Sequence, residues 1–126
     1  MTFHSDKYAI ARGVISPELA KFLSNYFLLK RKVCQTFRDT GFTTKDNTSF
    51  GFWEDGQVPN TYSHYADIAM ETMLTWLQPK AEEYSGLKLT PQFSYARIYK
   101  HGDVLARHLD RPSCEISATL NLGGDP

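Results

Sequence analysis

From Leu87 onward the side-chain pattern repeats every two residues, whereas the stretches before it repeat at helical spacing, and this switch limits the folds open to the chain. Phe93, Tyr95, Arg97 and Tyr99 share one face of an extended segment, and Ser94, Ala96 and Ile98 share the other. His101-Gly102-Asp103 reads as a turn, Val104–Asp110 as a second strand, and Arg111-Pro112-Ser113 as a second turn. Glu115 to Leu122 alternates cleanly. Ile116, Ala118, Leu120 and Leu122 point one way, and Glu115, Ser117, Thr119 and Asn121 point the other. Helices followed by closely spaced strands, with no crossover helices between them, predict an α+β domain with an antiparallel sheet or barrel.

The helical part is legible from its caps. Ser16-Pro17-Glu18 supplies a capping hydroxyl, a proline suited to the first helical position and an acid at the positive end of the dipole. Leu19, Phe22, Leu23 and Tyr26 then recur at i, i+3, i+4 and i+7, so a helix is expected to about Val33. Ahead of it, Tyr8–Ala11 and Val14-Ile15 read as short extended pieces split by Gly13. A second helix is expected from near Thr61, with Ala66, Ala69, Met70, Met73 and Leu77 as its apolar stripe, a kink or restart at Pro79 and an end at Gly86.

Residues 38–61 are rich in Gly, Asp, Asn and Thr, punctuated by Phe42, Phe50, Phe52 and Trp53. They read as a long loop that either covers or binds something, as a lid around Phe50 to Pro59 would, or, the favoured reading, lies on the surface with its aromatics filling the edge of the core. Asp55-Gly56 reads as a turn former with Glu54 as a solvated neighbour, His64 as a surface residue at a helix start, and Lys30-Arg31-Lys32 as a solvated helix end.

Fourteen basic residues balance fourteen acidic ones in 126 residues, so no nucleic-acid footprint is expected. No run approaches a membrane span, and no secretory apolar region opens the chain. Two cysteines, Cys34 and Cys114, are too few for a disulfide framework, which makes a reducing, cytoplasmic setting the expectation.

The candidate chemistry lies in His108-Leu109-Asp110. Two residues apart on a strand, the imidazole and the carboxylate face the same way. They are two of the three ligands of a facial two-histidine, one-carboxylate ferrous site. The polar face of Ser117, Thr119 and Asn121 would suit a hydrophilic tenant, because unpaired buried polar groups cost a few kcal/mol each. A rival reading is a zinc site from His101, His108, Asp110 and Cys114. Another is a non-catalytic jelly-roll binding or structural module.

Taken together, Tyr95-x-Arg97-x-Tyr99-x-x-Gly102-x-x-Leu105-x-x-His108-x-Asp110-Arg111-Pro112-x-Cys114-Glu115-x-Ser117 resembles the first half of the catalytic core of prolyl-4-hydroxylase-like Fe(II)/2-oxoglutarate-dependent oxygenases. The small phage and bacterial members are the most similar. The Gly13-Val14-Ile15-Ser16-Pro17-Glu18-Leu19 opening is similar to theirs as well. The resemblance implies helices packed on a double-stranded β-helix, a jelly-roll barrel. Residues 1–92 would be mainly helical support and loop, and 93–126 the first strands with the metal motif.

The resemblance also implies a dioxygenase that hydroxylates a peptide or small molecule with Fe(II), O2 and 2-oxoglutarate. His108 and Asp110 would be iron ligands, and Tyr99 and Asn121 would contact the co-substrate. Arg97, Ser117 and Thr119 line the pocket by alternation only, with a structural ion pair an equal reading for Arg97. After Asp110 the chain has no histidine, and its only basic residue is Arg111. The family's distal histidine and its 2-oxoglutarate-binding Arg or Lys are therefore lacking. The expectation is a C-terminally truncated oxygenase domain, inactive as it stands.

Overall fold

A computed structural model describes residues 3–124. In chain order it comprises helix α1 (Phe3–Asp6), helix α2 (Pro17–Asp39), strand β1 (Ser63–Tyr65), helix α3 (Ile68–Ser85) and strand β2 (Tyr95–Arg97). The α+β class therefore holds. The two strands pair antiparallel, with Ser63 opposite Arg97, His64 opposite Ala96 and Tyr65 opposite Tyr95. One further bridge joins Phe52 to Ser63.

Helix α2 begins as its cap residues dictate. Ser16 is extended, and its Oγ accepts the Leu19 N–H at 3.1 Å, satisfying one of the donors that a helix start leaves free. Ser16→Ala is expected to cost about 1 kcal/mol, read as a lower urea midpoint with an unchanged slope. The helix runs past Val33 to Asp39. Of its apolar residues Leu23, Phe27 and Cys34 are buried, while Phe22, in the expected stripe, is exposed.

Helix α3 starts at Ile68, later than expected, because Thr61 to His64 are buried in and before β1. Asp67 is its N-cap, taking the Met70 N–H at 3.1 Å. It continues through Pro79 without a break and ends at Gly86, which adopts φ 73. The core joins Phe27 and Cys34 of α2, Tyr62 ahead of β1 and Met70 of α3. Tyr26, Phe50, Trp53, Ala96, Ile98 and Leu122 pack around them. The expected core-edge role of the loop aromatics thus holds for Phe50 and Trp53, whereas Phe42 stays exposed against Phe37.

Two expected turns are present. The Asp103 N–H bonds the Lys100 carbonyl at 3.0 Å, and the Cys114 N–H bonds the Arg111 carbonyl at 2.9 Å. The expected strands over 104–110 and 115–122 are not formed, nor are the extended pieces expected before residue 16 paired into strands. Among the described residues the sheet is two-stranded and there is no closed barrel. Alternation supplies strand propensity, but a strand exists only where a neighbour completes its backbone hydrogen bonds, and among the described residues only β1 and β2 are paired in a sheet. No helix of the described residues is long and apolar enough to cross a membrane.

Candidate functional site

His108 and Asp110 face each other, although the strand whose alternation was expected to align them is not formed. The His108 Nε2 and Asp110 Oδ1 atoms are 3.3 Å apart. Each is held from behind. His108 Nδ1 is 2.9 Å from the Ala106 carbonyl, and the Ser117 hydroxyl donates to Asp110 Oδ2 at 2.6 Å. That bond from Ser117, helped by the neighbouring imidazole, keeps the Asp110 carboxyl below its ordinary pKa. Since a carbonyl can only accept, Nδ1 carries a proton, and in the neutral ring Nε2 then presents its lone pair to the carboxylate. Two electron-rich atoms facing each other call for a cation between them, either a proton or a metal ion. Two ligand bonds of about 2.1 Å at right angles would place donor atoms about 3 Å apart, so the donor pair fits one shared ion.

The pair opens to solvent, with side chains 34% and 46% exposed. The other residues expected at the site are not gathered around it. Tyr99 is half exposed beyond β2. Asn121 turns its Oδ1 back to the Gly123 N–H at 3.0 Å. Thr119 is exposed, and Arg97 takes the ion-pair role instead of lining a pocket. Among the described residues no group of three or more His, Cys, Asp or Glu side chains could hold a metal, so His101, His108, Asp110 and Cys114 form no joint zinc site.

Two buried polar clusters lie elsewhere. In the first, Asp55 is 5% exposed. Its Oδ1 does form the expected turn, accepting the Gln57 N–H at 2.9 Å. Its Oδ2, however, accepts from Arg97 Nε at 2.6 Å, Ser63 Oγ at 2.8 Å and Tyr95 Oη at 3.0 Å. Burial alone would raise the Asp55 pKa. The Arg97 guanidinium, with the Gln57 amide and the Ser63 and Tyr95 hydroxyls, outweighs burial and holds it far below the usual carboxylate range. Glu54, expected to be merely solvated, is gripped by the two terminal Arg38 nitrogens at 3.0 and 3.1 Å, with Arg38 stacked on Trp53.

In the second cluster, Asp67 is buried between α2 and α3. It accepts from Tyr26 Oη at 2.5 Å and pairs with Lys30. Lys30 Nζ also donates to His64 Nδ1 at 2.6 Å. Lys30 is thus no solvated helix end and His64 no surface residue, because β1 carries the imidazole inward against α2. Neither cluster was visible in the sequence. Asp55, Arg97 and Tyr95 are joined only by the return of β2 beside β1, and Lys30, His64 and Asp67 only by the packing of α2 on the β1–α3 corner.

Comparison of the chain with protein-family models, with curated proteins and with solved structures gives no match.

Proposed function

We propose that the chain contributes His108 and Asp110 as two ligands of a ferrous site in a 2-oxoglutarate-dependent dioxygenase of the prolyl-4-hydroxylase-like kind, on a jelly-roll scaffold to which β2 and the alternating segments after it would belong. The observation that carries the reading is the approach of His108 Nε2 to Asp110 Oδ1 at 3.3 Å, with each side chain oriented by a partner of its own. Ala106 and Ser117 play the part that outer hydrogen bonds play at metal sites, fixing the tautomer and aiming the carboxylate. The motif around the pair, from Tyr95 to Ser117, supports the same reading by its resemblance to that family. When bound, the ion would supply oxygen activation coupled to decarboxylation of 2-oxoglutarate. Tyr99 and Asn121 do not stand around the pair in this structure, so their role as co-substrate contacts rests on the resemblance alone.

Two protein ligands hold an ion less firmly than three, so weak but site-specific Fe(II) binding is expected. In anaerobic titration, His108→Ala and Asp110→Ala are each expected to weaken Fe(II) binding by about tenfold or more, the size seen even for outer-sphere changes at metal sites. Circular dichroism should be unchanged, since both side chains are exposed. Equal affinity in parent and variants would remove both residues from any metal site.

A further inference from the structure

We infer that the junction of α2, β1 and α3 is an acid-sensitive latch, closed by the neutral imidazole of His64 and loosened when that ring takes a proton. The geometry sets the requirement. Lys30 Nζ donates to His64 Nδ1 at 2.6 Å, so this nitrogen must offer a lone pair. His64 is 8% exposed, which leaves water little room to screen a second cation.

The groups facing the ring come from each packed element. Helix α2 supplies Lys30 and Tyr26, and the α3 cap supplies Asp67. From β2 the opposite residue is Ala96, which carries no charge. Asp67 Oδ2 lies 3.5 Å from His64 Nδ1, farther than the lysine, and it already serves Lys30 and Tyr26. The closer ammonium therefore outweighs the carboxylate. Burial and Lys30 both disfavour the charged ring, and together they exceed the pull of Asp67, so the His64 pKa lies below its ordinary value. Lys30 cannot simply swing out, because leaving would abandon the buried Asp67 carboxylate.

The pH dependence follows from linkage. Unfolded His64 gains its proton near pH 6.5, while the folded ring resists it. Below that pH the unfolded state binds more protons, so stability is complete above about pH 6.5 and declines as pH falls beneath it. The decline ends where the folded ring itself titrates. The other histidines, His4, His101 and His108, are exposed and form a common background.

The test compares urea unfolding of the parent and His64→Asn, whose side-chain oxygen can accept from Lys30 but cannot charge, between about pH 7.5 and about pH 5. The parent's unfolding constant is expected to rise as pH falls, by at most about tenfold per unit for one proton, and the variant's rise should be smaller by that share. Equal slopes would overturn the latch. If the variant does not fold, proton NMR of the parent decides, because a His64 ring titrating at or above its ordinary value of 6.5 would also overturn it.

Discussion

Asp55→Ala is expected to destabilise the protein by about 3 kcal/mol, near the lower end of the 3–5 kcal/mol typical for a broken buried ion pair. The carboxylate is 5% exposed and collects bonds from Arg97, Ser63, Tyr95 and the Gln57 amide. Its removal strands the Arg97 guanidinium, whose side chain is 13% exposed. Gln57 Oε1 at 2.5 Å and the Tyr95 ring remain beside Arg97, and for that reason the loss sits at the low end. Asp55→Asn keeps the shape without the charge and should fall between the alanine variant and the parent. Urea denaturation measures all three. A loss under about 1 kcal/mol for Asp55→Ala would place this cluster among ordinary surface pairs. The pairing also has a pH signature. A depressed carboxylate contributes its full stability above the unfolded value of 3.8 and loses it as pH falls below that toward the folded value, so the stability of both variants should fall less steeply than the parent's below pH 3.8.

Gly51→Ala is expected to be at least as severe, at about 4 kcal/mol. Gly51 has φ 106, where a side chain strains the backbone by about 1–3 kcal/mol. A methyl there would also stand 2.5 Å from Tyr62 Cε1 and 2.6 Å from its Cζ. The tyrosine cannot yield, being 1% exposed, ringed by Phe27 and Trp53, and bonded through its hydroxyl to the Phe50 carbonyl at 2.5 Å. Overpacking of this kind costs about 1–3 kcal/mol more. Gly41 is the control. It has φ 78, but nothing lies within 4 Å of an added methyl, so Gly41→Ala should show the strain alone, about 1–2 kcal/mol. Equal thermal shifts for the two variants would mean that the Tyr62 collision relaxes freely.

Both predictions fall on the stretch between α2 and β1, which the sequence presents as a loop. It is a structural layer instead. The Phe52–Ser63 bridge, the Tyr62 bond to Phe50 and the Asp55–Arg97 pair fasten it to the sheet. Local signals could not show this, because each bond joins residues whose partners are chosen by the fold. Asp55-Gly56 has the composition of a turn and forms one, and nothing nearby announces an arginine 42 residues later. The misplacement of His64 has the same origin. Its neighbours continue toward the helical pattern of α3, and only pairing with β2 draws residues 63–65 into a strand.

What the sequence determined by itself was local: the Ser16 cap, the left-handed stop at Gly86, and the turns at 100–103 and 111–114. Caps and turns are satisfied by atoms a few positions away, so composition and order suffice for them. Tertiary structure alone decided which carboxylates lie buried, which cations meet them, and which alternating segments become strands. Burial and ladder bonding depend on what stands opposite, and here the partners that join β1 to β2, Lys30 to His64 and Asp55 to Arg97 are some 30 to 42 positions distant.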